Sequence, residues 1–499
     1  MSEQFDLVII GAGPGGYSTA LRAAELGMKV ALVERDATVG GTCLNRGCIP
    51  SKALITATHT IDTVHRAAEL GVNASVNGID FGTLRDYRLR VVKTMVGGLA
   101  GLLAHRGITV FRANAAFHAD EIAPATSNHI VHIVHLVPSP DQSDILTYHK
   151  ADVPEPSGPT MDLTATNIVI ATGAKPHPLP GNPFAGALID STQALEVNEF
   201  PSSAVIIGAG AIALEFASMW NAAGSKVTLL IRKDRVLSAW DRRAGTTLTR
   251  ELKRHGVNII TRASVTHVDT GANLGATVHY TREGQDGEQS VWGEIALVAI
   301  GRDPITDPAW GVTIDDHGHV ATDAYGRTDK PGVWAVGDVT AGHALAHRAF
   351  EQGIVIAETI AGLNPKPVDE AAVPQIVFSF PEAASVGLTV EQAQAREDLI
   401  EIKETNYPML ANARMLMSGT AGSLTIVSGC DAANPDTPRV LGVHMVSQMA
   451  SDIIAEAEQL VGNHVPLADA ARLVHPHPTF SETLGEALLK ADGRPLHTR

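Results

Sequence analysis

The chain carries the same strand, glycine-rich turn, helix and strand pattern twice, and this repeat restricts its fold more than any other feature. In the first copy, the apolar run at 6–10 leads into GAGPGG at 11–16, a helical stretch and a second apolar run that ends at Glu34. In the second copy, the apolar run at 205–207 leads into GAGAIA at 208–213. This pattern is typical of a dinucleotide-binding βαβ unit. We therefore predict an α/β fold with two Rossmann-like dinucleotide-binding domains.

Individual positions of the first copy have a physical role. Gly11 forms the tight turn, Gly13 lets a pyrophosphate approach the backbone, and Gly16 lets the helix pack closely on the strand. The helix N-terminus favours phosphate, and Glu34 can accept hydrogen bonds from a ribose hydroxyl. The equivalent positions of the second copy are Gly208, Gly210 and Ala213, and alanine is tolerated at the third of these.

The two copies differ where the ribose would bind. Ile231 stands in place of the carboxylate, and Arg232 and Lys233 follow it. Losing an acid and gaining cations suits a ribose 2'-phosphate. We predict nucleotide contacts at Ile231 and Arg232, although a solvated charge at a strand end is an equally simple explanation. The choice between NAD and NADP therefore stays open.

Two cysteines, Cys43 and Cys48, lie just after the first copy. A straight helix would separate them by about 7.5 Å along its axis, which is too far for a disulfide, so the segment must bend, and Gly47 allows this. Pro50 favours a helix start at residue 49 or 50, which would place the Cys48 sulfur at the positive end of the helix and lower its pKa. Spacing alone does not distinguish a redox pair from two core thiols, but the adjacent nucleotide fingerprint favours a redox-active disulfide beside a flavin.

Composition excludes several classes of protein. A net charge of −16 argues against nucleic-acid binding, and three cysteines in 499 residues are too few to hold the fold together. We find no role for Cys430. The sequence shows no signal peptide and no membrane-spanning run, so we expect a cytoplasmic protein.

The segment 118–165 separates the two copies and has a different character. It is rich in proline and contains the alternating run HIVHIVH at 129–135, which predicts a β-meander with a long loop. His129, His132 and His135 are three residues apart and do not share one strand face, so we expect no metal site. No function is assigned to this segment.

Further motifs follow in a characteristic order: CLNRGCIPSK at 43–52, IATG at 170–173, AIGR at 299–302, VWAVGD at 333–338, and HPHPT at 475–479 with Glu482. Together they resemble the flavin-dependent pyridine nucleotide-disulfide oxidoreductases over nearly the whole chain. The resemblance implies FAD, NAD or NADP, no metal, and an α+β dimerisation domain. The implied regions are 1–178 for FAD, 179–300 for NAD(P), 301–368 completing the FAD site, and 369–499 for the dimer interface.

The resemblance also implies residue roles. Cys43 would exchange with substrate while Cys48 contacts the flavin, and His477, oriented by Glu482, would be the acid-base group serving the other subunit of a homodimer. Lys52 would lie near flavin N5 and pair with Glu215. FAD contacts are implied at Gly11, Gly13, Gly16, Glu34, Thr42, Lys52, Thr172, Gly173, Asp338 and Ala346. NAD(P) contacts are implied at Gly208, Gly210, Ala213, Glu215, Ile231, Arg232 and Gly301.

The motifs point to two branches of this family. CIPSK and HxHPT resemble dihydrolipoamide dehydrogenases, which implies oxidation of a small or protein-bound lipoyl dithiol by NAD(P)⁺ and a possible place in a 2-oxo acid dehydrogenase complex. The segment at 231–232 is similar to that of NADPH-dependent glutathione reductases. Oxidation of a lipoyl dithiol is therefore the main prediction, and an NADPH-dependent reductase of a small disulfide is the first alternative. The second alternative, of another class, is a mainly structural subunit of a 2-oxo acid dehydrogenase complex.

Overall fold

A computed structural model describes residues 3–121, 132–137, 146–149, 153–156, 161–271 and 275–499. The chain divides into two compact units. The first comprises Met1–Ala53, Gly82–Pro176 and Arg302–Glu370, and the second Leu54–Phe81, His177–Gly301 and Ala371–Arg499. The functional division into four regions stays a prediction.

The strands and helices follow in chain order. The strands are β1 Glu3–Ile10, β2 Val30–Glu34, β3 Thr109–Arg112, β4 Asn114–Ala116, β5 His132–Val137, β6 Leu146–His149, β7 Val153–Pro156, β8 Met161–Ile170, β9 Ala174–Pro176, β10 Leu188–Ile189, β11 Ser203–Ile207, β12 Lys226–Ile231, β13 Asn258–Thr261, β14 Ala263–Asp269, β15 Ala276–Arg282, β16 Gln289–Gly293, β17 Ile295–Val298, β18 Arg302–Pro304, β19 Val333–Ala335, β20 Gln375–Val377, β21 Glu382–Gly387, β22 Leu399–Tyr407, β23 Ser423–Asp431 and β24 Asn434–Ser447. The helices are α1 Pro14–Glu25, α2 Gly41–Arg46, α3 Cys48–Arg66, α4 Phe81–His105, α5 Ser191–Leu195, α6 Ala211–Ala222, α7 Arg242–Arg254, α8 Ala346–Ile360, α9 Val390–Gln394, α10 Ala413–Ser418, α11 Ala450–Gly462, α12 Leu467–Ala470 and α13 Glu482–Ala491.

A parallel sheet forms the core of the first unit. Its parallel strands lie in the order β3-β2-β1-β8-β19, and α1 packs against α8. All five residues of β2 are buried, as expected for a parallel strand covered on both faces. Such a sheet brings the ends of its strands, where the glycine-rich turn lies, to one edge.

The segment between the nucleotide fingerprints differs from the predicted single meander. β5 is antiparallel to both β4 and β8, as a meander requires, whereas β6 and β7 form a hairpin that pairs with β3 at the opposite edge of the sheet. His132 is buried and His135 lies on the other face of β5, so the prediction that they do not share a face is confirmed. His129 lies outside the described residues.

The second unit contains three main sheets. One is parallel, in the order β10-β17-β11-β12-β13, and another is the antiparallel set β14-β15-β16. The third, in the order β20-β21-β24-β23-β22, is antiparallel, and α11 and α13 pack on it. The α/β fold class, with a C-terminal α+β domain, is thus confirmed. Within the described residues, no helix is both long enough and apolar enough to cross a membrane.

Candidate active site

The turn after β1 is built for close backbone approach. Gly11 has φ +106°, and a Cβ added there would lie 2.3 Å from the Ala171 carbonyl oxygen. A Cβ at Gly16 would lie 1.8 Å from the Gly11 carbonyl oxygen. Beside Gly13, which precedes α1, a Cβ would meet only the Cα of Gly41, 4.0 Å away. This open space at a helix N-terminus fits a pyrophosphate, since the first amides of a helix attract anions.

Glu34 closes the same site from the end of β2. Its Oε2 accepts a 2.9 Å hydrogen bond from the Ala12 amide, and its Oε1 accepts one of 2.9 Å from the Asp36 amide. Burial raises the pKa of Glu34, while these two hydrogen bonds oppose the rise. Each oxygen of an ionised carboxylate can accept more than one hydrogen bond, so Glu34 retains capacity for ribose hydroxyls.

The two cysteines lie on either side of a helix break. Cys43 belongs to α2 and Cys48 is the first residue of α3, one residue earlier than the predicted start, and Gly47 separates the helices. A Cβ at Gly47 would lie 3.0 Å from the Thr42 carbonyl oxygen. The bend that the sequence requires is therefore present, with Thr42 half-buried beside it. Cys43 and Cys48 are not joined by a disulfide in this structure, so the disulfide stays a prediction.

The electrostatics of the pair are asymmetric. A hydrogen bond with Cys48 raises the pKa of Cys43, and burial adds to the rise, while the charge of Lys52 opposes it. The proton therefore stays on Cys43, and negative charge is favoured on Cys48 at the helix start. Burial, followed by the charges of Cys43 and Cys48, raises the pKa of Tyr17 to about 12. Tyr17 thus faces the thiol pair, which the sequence reasoning missed because no motif marks this position.

Lys52 and Glu215 were predicted to pair. Lys52 is half-buried on α3, one helical turn after Cys48. Glu215 is buried on α6, and its Oε1 accepts a 3.1 Å hydrogen bond from the Phe378 amide. The two residues belong to different units, and their pairing stays a prediction.

Asp338 lies in a 3-10 turn, Gly337–Val339, shortly after β19. Burial raises its pKa, while the charges of Arg302 and Arg348 oppose the rise. Its carboxylate makes no hydrogen bond with any residue that the structure describes. A half-buried carboxylate in this situation fits a polyol such as the ribityl chain of FAD, because an incoming hydroxyl would satisfy it. The sequence analysis assigned no role to either arginine, because nothing in the sequence shows that they lie near Asp338.

The remaining predicted FAD contacts also lie in the first unit. Thr172 follows β8 and donates a 2.7 Å hydrogen bond to the Ile305 carbonyl. Gly173, next in the chain, has φ +71°. Ala346 is the first residue of α8, whose N-terminal amides are available to an acceptor. Their contacts with FAD stay predictions.

The second fingerprint repeats the geometry of the first. Gly208 has φ +140°, and a Cβ there would lie 2.2 Å from the Ala299 carbonyl oxygen. Gly210 precedes α6 and has open space around it, and Ala213 is fully buried on that helix. Gly301 has φ +151° and open space as well. The arrangement fits a second dinucleotide.

The ribose end of the second site differs from Glu34 as the sequence predicts. Ile231 is the last residue of β12, as Glu34 is of β2, but it is only 1% exposed. Its side chain therefore packs in the interior, and any nucleotide contact at this position must use the backbone. Arg232 is exposed and makes no ion pair with the described residues. It is thus a cation directly after the position that corresponds to Glu34, and its contact with a 2'-phosphate stays a prediction.

His477 and Glu482 form a hydrogen-bonded pair at the start of α13. His477 Nδ1 lies 2.7 Å from Glu482 Oε1, and the Thr479 amide donates a 2.7 Å hydrogen bond to Glu482 Oε2. Burial raises the pKa of Glu482. The hydrogen bonds from Thr479 and His477 outweigh that rise and hold the pKa below its usual range. A carboxylate can only accept, so Nδ1 carries the proton and, in the neutral ring, Nε2 keeps its lone pair. The imidazole is 75% exposed.

Comparison with known proteins agrees with this architecture. The family model described as pyridine nucleotide-disulphide oxidoreductase matches residues 5–353, and its dimerisation domain matches 373–488. The dihydrolipoyl dehydrogenase of Geobacillus stearothermophilus is 34% identical over 497 residues, covering 99% of this chain and 97% of the relative. That of Cupriavidus necator is 34% identical over 512 residues, covering 100% of both.

Solved structures give the same result. LpdA of Mycobacterium tuberculosis superposes with a TM-score of 0.83 at 25% identity, covering 98% of this chain and 99% of that one. The HOCl-induced flavoprotein disulfide reductase RclA of Escherichia coli has a TM-score of 0.77 at 25% identity, covering 97% and 99%. The chain therefore belongs to the pyridine nucleotide-disulphide oxidoreductases and is an FAD-dependent enzyme that uses NAD or NADP.

Proposed function

We propose that this enzyme oxidises dihydrolipoamide to lipoamide and reduces NAD⁺ or NADP⁺. The observation that carries the proposal is the presence of two pairs in one chain. His477 is hydrogen-bonded to Glu482, and the thiols of Cys43 and Cys48 are hydrogen-bonded to each other at the start of α3. A dithiol substrate needs both parts, a sulfur pair to exchange with and a base to remove its protons. Full-length relatives named dihydrolipoyl dehydrogenase support this substrate.

The thiol chemistry starts from the oxidised Cys43–Cys48 pair. Nε2 of His477 removes a proton from one substrate thiol, and the resulting thiolate attacks the Cys43 sulfur. The Cys43–Cys48 bond breaks, a mixed disulfide forms, and Cys48 leaves as a thiolate, which the start of α3 stabilises. The second substrate thiol then attacks the substrate sulfur of the mixed disulfide. Lipoamide closes its ring, and Cys43 leaves and takes up the proton held by His477. Nε2 of His477, freed of that proton, then accepts the proton of the second substrate thiol.

FAD, when bound, would supply a two-electron carrier between the two cysteines and the nicotinamide. Gly11 and Gly13 would hold the pyrophosphate of FAD, Glu34 would hold the ribose, and Asp338 would hold the ribityl chain. Lys52, one turn after Cys48, would place a positive charge beside the flavin ring. The half-buried setting of the thiols would limit access of water to them.

We further propose that His477 serves the thiols of a second copy of the chain. The match to the dimerisation domain supports a homodimer. The 75% exposure of His477 in a single chain agrees with this, since a catalytic base needs a confined site that a partner could complete. Membership of a 2-oxo acid dehydrogenase complex and a cytoplasmic setting rest on the relatives and on cysteine usage alone.

The second candidate is an NADPH-dependent reductase of a small disulfide such as glutathione disulfide, which runs the same chemistry in reverse. The buried Ile231 and the free, exposed Arg232 favour it, because both suit NADP.

Steady-state turnover separates these functions. Dihydrolipoamide oxidation would be measured with NAD⁺ and NADP⁺ side by side, and glutathione disulfide reduction with NADPH. Rapid turnover of dihydrolipoamide supports the first function, whereas turnover of glutathione disulfide alone would replace it with the second. Full FAD occupancy without turnover of either substrate would instead indicate a mainly structural subunit.

A further inference from the structure

Two histidines of the second unit face each other across a pair of strands. His267 on β14 and His279 on β15 are directly opposite in the antiparallel ladder, next to a register irregularity between Val265 and His267. Their rings stack with centroids 4.1 Å apart and an interplanar angle of 9°. The two imidazoles therefore present their nitrogens side by side along two edges.

Each edge faces a carboxylate. On one side, His267 Nδ1 and His279 Nδ1 lie 3.7 Å and 3.5 Å from the Glu288 carboxylate oxygens. On the other, His279 Nε2 donates a 3.1 Å hydrogen bond to Asp269 Oδ2. Because that bond places the proton of His279 on Nε2, its Nδ1 keeps a lone pair directed to the side of Glu288. Thr266 Oγ1 donates a 2.7 Å hydrogen bond to Glu288 Oε1.

We propose that His267, His279 and Glu288 bind a divalent transition-metal ion such as Zn²⁺. The ligand atoms of the three residues lie within 4.8 Å of one another. An ion with tetrahedral ligands at about 2.0–2.1 Å sets them roughly 3.3 Å apart, which is close to the 3.5 and 3.7 Å that separate the two Nδ1 atoms from the Glu288 oxygens. The two rings are nearly parallel, so they would tilt toward the ion on binding, because a ligating lone pair lies in the plane of its ring.

The surroundings have the form of a metal site's outer shell. Metal-binding histidines commonly donate their second N–H to a carboxylate, as His279 does to Asp269, and ligating carboxylates commonly accept a further hydrogen bond, as Glu288 does from Thr266. His267 is 46% exposed and Glu288 44% exposed. The ion could therefore enter from solvent and keep water in its fourth position. This departs from the sequence prediction of no metal, in which the histidines at 129–135 were the only candidate ligands weighed.

The ion would join β14 to β15 and to the residue that precedes β16. It plays no part in the proposed thiol chemistry, so the two proposals can fail independently. The expected consequence of binding is stabilisation of this three-stranded sheet, since an ion that binds only the folded state raises the melting temperature.

Isothermal titration of Zn²⁺ into the oxidised holoenzyme tests the site, because oxidation removes the Cys43 and Cys48 thiols as competing ligands. We expect the wild type to bind one ion per chain. Each of the variants H267Q, H279Q, E288Q and D269N should bind Zn²⁺ at least about tenfold more weakly. His317, an exposed histidine elsewhere, provides the matched control H317Q, which should bind as the wild type does.

Two results would overturn the proposal. One is a wild-type chain that does not bind Zn²⁺. The other is a double variant, H267Q with H279Q, that retains flavin absorbance and binds Zn²⁺ with unchanged stoichiometry and affinity. The melting temperature gives a second reading, since Zn²⁺ should raise it in the wild type and in H317Q but not in the double variant.

Discussion

Glu482→Gln probes the catalytic pair without removing its histidine. Both oxygens of Glu482 accept hydrogen bonds of 2.7 Å, one from His477 Nδ1 and one from the Thr479 amide. A carboxamide has one oxygen and one NH₂ group, so one of the two donors must lose its acceptor and face another donor. Losing a charge-assisted hydrogen bond costs about 1.5–3 kcal/mol, which corresponds to a loss of roughly ten- to a hundredfold in rate.

The comparison with His477→Gln makes the test specific. Removing the base should lower dihydrolipoamide turnover by about 10² to 10⁴, more than Glu482→Gln does. Electron transfer from NADH to an artificial one-electron acceptor bypasses the thiols and should be preserved in both variants.

A matched control lies on the same helix. Glu486 accepts a 2.9 Å hydrogen bond from His497 Nδ1, so Glu486→Gln disrupts a similar pair and should leave dihydrolipoamide turnover unchanged. Wild-type turnover in Glu482→Gln would refute the orienting role of Glu482. Equal losses in the dihydrolipoamide and artificial-acceptor assays would show damage to the fold or to the flavin site instead.

Three further predictions follow from the geometry. Arg232→Ala should lower kcat/KM for NADP(H) by about ten- to a hundredfold and spare NAD(H); equal effects on both would exclude a phosphate contact. Glu482 has a depressed folded pKa, so its stabilisation exists above its unfolded pKa and is lost as the pH falls through the folded one. Glu482→Gln should therefore flatten the decline of Tm on the acid side. Gly11→Ala should destabilise the chain by at least about 1–3 kcal/mol, because its Cβ would lie 2.3 Å from a carbonyl oxygen. In Gly98→Ala, on α4, the new Cβ meets nothing within 4 Å, so this variant should stabilise the chain by up to about 1 kcal/mol. Denaturant unfolding measures both changes.

Local features were predictable because they depend on neighbours in sequence. The turns at Gly11 and Gly208 follow from strand and glycine patterns, and the bend at Gly47 follows from the spacing of two cysteines. The pairing of His477 with Glu482 was expected from family resemblance, and the structure contains it. In each case the residues concerned lie within a few positions of one another.

Features that depend on register or on long-range packing were not predictable. The hairpin of β6 and β7 lies within the segment predicted as a meander, but β6 pairs with β3, a strand that is distant from it in sequence. His267 and His279 meet because of the register between β14 and β15, which no spacing rule reveals. The charges of Cys43 and Cys48 act on Tyr17, a tertiary relation that leaves no mark in the sequence.

The redox role of the cysteine pair is the central claim, and the visible absorption of partly reduced holoenzyme tests it most directly. Because the proton stays on Cys43 and charge is favoured on Cys48, a long-wavelength charge-transfer band from thiolate to flavin should appear in the wild type. Cys43→Ser should keep the band without turning over dihydrolipoamide, and Cys48→Ser should abolish it. A band that survives in Cys48→Ser would contradict the assignment.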